Sequence, residues 1–193
     1  MKTAVYIDSC AWNYLFEHRV DLAEAFPSDE YTLALTREVE IEISAIPDRG
    51  KDGADKIELK EYIKESIDKQ SVRTTSVFGF ATYEPDGSLS KVQVYGGFDQ
   101  GTWQSDADRS WYGSGEVRDL LHSKGKRKYG LSGNQADASL AVRSFESIVL
   151  TNEIKSTNGP LRLAAEQGGQ IVYLADVEQS GLSLKDFVRS LRS

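Results

Sequence analysis

At 193 residues the chain is short enough for one domain and long enough to bury a sizeable core. Its composition, 39% hydrophobic and 27% charged, is that of an ordinary water-soluble globular protein, and no apolar run approaches the roughly 20 residues of a membrane helix. A net charge of −7 disfavours nonspecific nucleic-acid binding through phosphate contacts alone, and the single cysteine excludes an internal disulfide or a cysteine-built zinc site and suits a reducing cytoplasm.

The chain alternates strand and helix. Met1-Lys2-Thr3 precedes the apolar run Ala4-Val5-Tyr6-Ile7, which is too short for a signal-peptide core and reads as a fully buried first strand ending at Asp8. A helix is expected over 11–25, broken by Phe26-Pro27, then a second strand over 31–35 and a helix over 37–46 that Thr36 caps. Val39, Ile43 and Ile46 give that helix an apolar stripe. After a turn-rich loop over 47–53, a second amphipathic helix over 55–69 points Ile57, Tyr62, Ile63 and Ile67 inward.

Residues 72–115 break the pattern. Val77, Phe78, Phe80 and Tyr83 lie before the turn residues Pro85-Asp86-Gly87, and Val92, Val94 and Tyr95 after it, which predicts a β-hairpin. Beyond it, 96–115 shows no periodicity, so the stretch reads as an insertion or flap on an α/β core. Helical patterning returns over 116–123, pauses at a basic loop over 124–129 and resumes over 134–147. A third strand is expected over 148–150, a helix over 160–167 between Pro160 and Gly168-Gly169, and a fourth strand over 171–174. The final helix is signed by Ser183 as N-cap, Asp186 at the third helical position, and Leu182 with Phe187 as a hydrophobic staple.

Four acids stand near strand ends: Asp8 after the first strand, Glu42 on the helix after the second, Asp137 in the first turn of the helix before the third, and Glu153 just after it. Glu38 shares a helix face with Glu42. Crevices outside the carboxyl ends of parallel strands are where open α/β sheets bind ligands. Convergent carboxylates repel one another unless a cation intervenes, and Mg²⁺ or Mn²⁺ suits such an all-oxygen set. Each acid also has a structural explanation: helix capping for Asp8 and Glu153, dipole compensation for Asp137, a solvated face for Glu38 and Glu42.

These residues resemble the ordered landmarks of the PIN-domain nucleases: Ile7-Asp8-Ser9-Cys10, then Thr36 followed by Glu42-Ile43, then Ala136-Asp137-Ala138 leading to Leu140-Ala141, then Val149-Leu150-Thr151-Asn152-Glu153. The resemblance covers residues 4–46 and 116–175. It implies a three-layer α/β/α domain with a central, mostly parallel sheet, here elaborated by the inserted hairpin. It also implies an Mg²⁺- or Mn²⁺-dependent ribonuclease in which Asp8, Glu42 and Asp137 hold the metal. Glu153 stands where the family usually has Asp, which suggests a water-positioning role for its longer side chain. Thr36, Ser9, Thr151 and Asn152 are candidate supports for the acids, with Glu38 the alternative second acid. Many members are toxins neutralised by an antitoxin protein, and many dimerise. Lys124, Lys126, Arg127 and Lys128 are candidate RNA-backbone contacts, and Phe98, Trp103, Trp111 and Tyr112 candidate base-stacking residues. Cys10 reads as a small buried residue rather than a nucleophile, and Asp119 with His122 as a surface pair. The haloacid-dehalogenase phosphatases also begin with a strand-terminal Asp but place a second Asp two residues on, where this chain has Cys10. The alternative to an enzyme is a catalytically degenerate PIN-like scaffold or RNA-binding protein.

Overall fold

The computed structural model of the chain describes residues 2–50, 53–78, 95–96, 101–123, 125 and 130–191, with backbone alone at 78, 95–96 and 101–102. Its centre is a five-stranded parallel sheet. Strand β1 (Thr3–Ile7) lies between β2 (Tyr31–Thr36) and β6 (Ile148–Thr151). The outer strands are β3 (Arg73–Phe78) beside β2 and β7 (Ile171–Tyr173) beside β6, giving the order β3-β2-β1-β6-β7. Parallel strands covered on both faces need apolar residues throughout, and Val5, Tyr6, Ile7, Leu33, Leu35, Ile148, Val149 and Leu150 are all buried.

Helices cover both faces, which makes the three-layer α/β/α architecture. On one side α1 (Ala11–Glu17), α2 (Leu22–Ala25) and α4 (Ile57–Gln70) pack together, with the C-terminal α10 (Leu184–Ser190) against α2 and against α9 (Leu174–Ser180). On the other side α5 (Asp106–Gly113), α6 (Gly115–His122) and α8 (Pro160–Glu166) gather around α7 (Gln135–Arg143). The short α3 (Arg37–Ser44) leaves β2 directly and meets α7. No helix among the described residues is long and apolar enough to cross a membrane.

Several elements differ from the sequence expectation. The helix expected over 11–25 is two helices: the chain turns at Arg19, whose φ of +48° is left-handed, and restarts at Asp21, whose carboxylate accepts the Ala23 N–H at 2.8 Å. The helix of 134–147 is shorter, because the backbone departs after Arg143 and Gln170 N–H bonds the Ser144 carbonyl at 2.8 Å. Helix α9 starts directly at the end of β7, with no loop to announce it. Ile57, expected to point inward, is exposed, whereas Tyr62, Ile63 and Ile67 pack on the core.

The region 72–115 differs most. Its first strand begins at Arg73 and joins the central sheet, parallel to β2. Two short strands, β4 (Tyr95–Gly96) and β5 (Gly101–Thr102), run parallel to β3, with Val77 beside Tyr95. That is the opposite sense from the arms of a hairpin. The turn itself, with Phe80, Tyr83, Val92 and Val94, lies outside the described residues. The stretch read as aperiodic contains α5, opened by a capping box in which Ser105 accepts the Asp108 N–H and Asp108 accepts the Ser105 N–H, each at 3.1 Å.

Candidate active site at the carboxyl edge of the sheet

Strand β1 is the switch point of the sheet: the chain winds from it to β2 and β3 on one side, then returns to β6 and β7 on the other. Connections leave β1 and β6 in opposite directions, so their carboxyl ends open a crevice. Asp8 is the first residue beyond β1, Thr151 the last of β6. Asp8 N–H bonds the Leu150 carbonyl at 3.0 Å, and its side chain is 2% exposed. It is not the cap of α1, since that place falls to Cys10.

A buried carboxylate needs donors, and Asp8 has them. The Thr151 hydroxyl donates to Oδ2 at 2.7 Å and the Cys10 thiol to the same oxygen at 3.0 Å. Thr151 in turn accepts the Glu153 N–H at 3.1 Å, and Cys10 accepts the Asn152 N–H at 3.2 Å, so the turn after β6 is tied to the turn after β1. Burial, then the neighbouring Asp8 charge and its hydrogen bond, push the Cys10 thiol far above its ordinary range. It stays a protonated donor rather than a nucleophile.

The other oxygen of Asp8 faces Ser9. The Ser9 hydroxyl lies 3.4 Å from Asp8 Oδ1 and 2.7 Å from Glu42 Oε2, so one proton stands between two carboxylates from different elements. Glu42 is held there by α3. Thr36 ends β2 and caps α3, accepting the Val39 N–H at 3.3 Å. Ser139 of α7 gives its proton to the Ala136 carbonyl at 2.7 Å, so the 2.7 Å contact between the Thr36 and Ser139 hydroxyls must use the Thr36 proton. That bond fixes α7 with its N-terminal half at the carboxyl edge.

Asp137 therefore lies at this edge, half-buried in the first turn of α7. Glu153 is half-buried beyond β6, with Asn152 exposed beside it. Glu38 is the buried acid of α3, only 4% exposed, while Glu42 is half-buried. The side chains bring Asp8 and Glu42 onto one hydroxyl. Among the described residues, no three His, Cys, Asp or Glu side chains are close enough to form a metal-binding group as they stand. The donors around Ser9 are nonetheless all oxygen, the set that hard cations take.

Of the remaining candidates, Lys124, Lys126, Arg127, Lys128 and Phe98 lie outside the described residues. Trp111 and Tyr112 are buried in the main core and cannot receive a base: Trp111 packs edge-on to Tyr112 and Phe145, and its indole donates to Gln167 at 3.0 Å. Trp103 is exposed. Asp119 and His122 are on the surface, and the His122 ring meets the Arg118 carbonyl. Sequence reasoning weighed Cys10 only as a nucleophile or a filler and missed its place as a donor to Asp8; the spacing of two residues from a strand-terminal acid was the available signal.

Comparison with known proteins gives no relative: no protein-family model matches the chain, and neither a curated protein nor a solved structure is similar to it.

Proposed function

We propose that the protein is a metal-dependent endoribonuclease of the PIN type that hydrolyses RNA phosphodiester bonds. The observation that carries this reading is the pair Asp8 and Glu42, joined through the Ser9 hydroxyl at the switch point of a parallel sheet. Two carboxylates about one proton attract a divalent cation, and Asp137 enters from the same edge. Asp8, Glu42 and Asp137 would hold Mg²⁺ or Mn²⁺, which when bound screens the phosphate charge and makes water a better nucleophile.

The chain's own residues do the rest. Thr151 and Cys10 occupy Asp8 Oδ2 and leave Oδ1 to the Ser9 hydroxyl. Ser9 keeps Glu42 beside it. Glu153, anchored through its N–H to Thr151, orients the attacking water and takes its proton. Water adds to phosphorus as the bond to the 3′-oxygen breaks, the leaving oxygen takes a proton from solvent, and the products are a 5′-phosphate and a 3′-hydroxyl. The basic run 124–128, which enters just before α7, would meet the RNA backbone. An antitoxin that covers the edge and a homodimer are the partners this reading brings with it.

The test is incubation of the purified protein with labelled single-stranded RNA in Mg²⁺, in Mn²⁺ and in EDTA, beside Asp8→Asn and Asp137→Asn. Metal-dependent cleavage that falls by at least a hundredfold in either variant is the expected result. A folded wild-type protein that cuts neither RNA nor DNA with any metal would overturn the proposal and leave the degenerate scaffold.

A further inference from the structure

We propose that a cavity at the amino-terminal edge of the sheet, framed by Lys2, Lys69 and Arg73, binds the phosphate of a phosphomonoester. It lies at the opposite end of the strands from Asp8, and the inference does not depend on the nuclease reading. The cavity measures about 350 Å³, and no carboxylate among the described residues lines it. That sign is unexpected in a chain of net charge −7. Larger cavities, between α3 and α4 and between α6 and α8, are lined by residues of both signs.

The fold assembles the three cations from separate elements. Lys2 precedes β1, whose first residue, Thr3, pairs with Tyr31 at the start of β2. Lys69 is in the last turn of α4, and Arg73 is the first residue of β3. Between them Ser71 takes a left-handed φ of +50°, which turns the helix into the strand. For Lys69 the carbonyl end of the helix is one reason to be there. That end is already closed, however: Ser71 N–H bonds the Asp68 carbonyl at 3.3 Å and Val72 N–H the Ile67 carbonyl at 3.0 Å. Lys2 and Arg73 lie on no helix. Among the described residues, none of the three cations takes part in an ion pair or a side-chain hydrogen bond.

Cations gathered around one cavity repel one another unless an anion comes between them. The donors decide which anion. A guanidinium such as that of Arg73 presents a planar fork that matches two phosphate oxygens, and the ammonium groups of Lys2 and Lys69 add compact charge. The hydroxyls of Ser28, Thr32 and Ser71 and the Gln70 amide also line the cavity and supply neutral donors. A phosphomonoester carries about −1.5 to −2 charge at neutral pH, more than the single charge of a diester, so three cations favour it. The volume is that of a small-molecule site, which leaves room for the organic group of the ester. Two sources share this chemistry: a free nucleoside or sugar monophosphate, and the 5′-phosphorylated end of a nucleic acid.

Calorimetric titration in a phosphate-free, low-salt buffer with EDTA tests this. The probe is adenosine 5′-monophosphate, beside adenosine and adenosine 3′,5′-cyclic monophosphate, whose phosphate is a diester. The monophosphate is expected to bind saturably, the cyclic diester far more weakly and adenosine not at all. Arg73→Gln should weaken the monophosphate about tenfold, Lys2→Gln and Lys69→Gln each by a smaller factor, and Arg73→Lys should restore part of the loss. Arg118→Gln, which removes the same charge from the exposed face of α6, should bind like the wild type. The three framing residues are exposed, so their variants should melt with the wild type, which thermal denaturation checks. A 5′-phosphorylated oligouridine and its 5′-hydroxyl twin separate the sources. Preference for the phosphorylated strand assigns the site to nucleic-acid ends, and weak binding of both assigns it to free monophosphates. No saturable binding, equal binding of the cyclic diester, or an affinity that falls no further in Arg73→Gln than in Arg118→Gln overturns the inference. Metal-dependent RNA cleavage without this binding leaves the nuclease reading standing alone, and binding without cleavage under any metal leaves the anion site alone.

Discussion

At Cys10 a thiol does the work usually given to a hydroxyl. It donates to a buried carboxylate and is itself bonded by the next turn, which ties two strand ends through one small side chain. Its pKa is raised, first by burial and then by Asp8. A thiol near its free value of about 8.5 in the unfolded chain loses its proton earlier than in the fold. Above that pH the folded state therefore holds more protons than the unfolded one, and stability falls as pH rises. The contribution is complete below about pH 8 and decays at up to about 1.4 kcal/mol per pH unit above pH 8.5. Urea unfolding at pH 7.5, 8.5 and 9.5 should show this slope in the wild type and a flatter one in Cys10→Ser. Equal slopes would mean that the thiol titrates no differently in the two states.

Among the elements, the junction of β2 with α3 decides where Glu42 stands. Thr36 is at once the last strand residue, the helix cap and the donor to Ser139. Thr36→Val keeps the shape and removes the hydroxyl, leaving the Val39 N–H and Ser139 Oγ short of partners inside the protein. It should cost about 1–2 kcal/mol of unfolding free energy, with Thr36→Ser near wild type. This junction was legible in the sequence, since a Thr before an acidic amphipathic run is a cap signal. The break at Arg19 was not, because nothing local forbids a helix from running through residues 18–21. Helix α5 carried a usable signal in Ser105 and Asp108, masked by the surrounding Gly, Trp and Ser residues. The parallel sense of β3 and β4 was illegible for another reason: a hairpin and a crossover present the same alternation, and only the partner strand separates them.

For the whole molecule, the proposed cation should be a ligand of the folded state alone, because the acids proposed to hold it, Asp8, Glu42 and Asp137, are far apart in the sequence. Binding to the native state stabilises it by about 2.7 kcal/mol at a hundredfold excess over Kd. For a chain of this size that is a rise in Tm of about 5–10 °C. Mn²⁺ should therefore raise the Tm of the wild type, and Asp8→Asn should lose the response. An unchanged wild-type Tm across millimolar Mg²⁺ and Mn²⁺ would speak against tight metal binding, independently of any activity.

The sequence by itself determined the α/β class, the buried strands, the cap at Thr36 and the placing of acids after strands, because each is a local pattern of apolar period, capping chemistry and position. It also marked Asp8, whose place follows from where an apolar run stops. The tertiary structure alone decided that β1 is the switch point, that Ser9 spans Asp8 and Glu42, that Glu38 is buried, and that Trp103 faces water while Trp111 does not. Strand order, side-chain convergence and the burial of an aromatic depend on contacts between residues far apart in the chain. No local period encodes them.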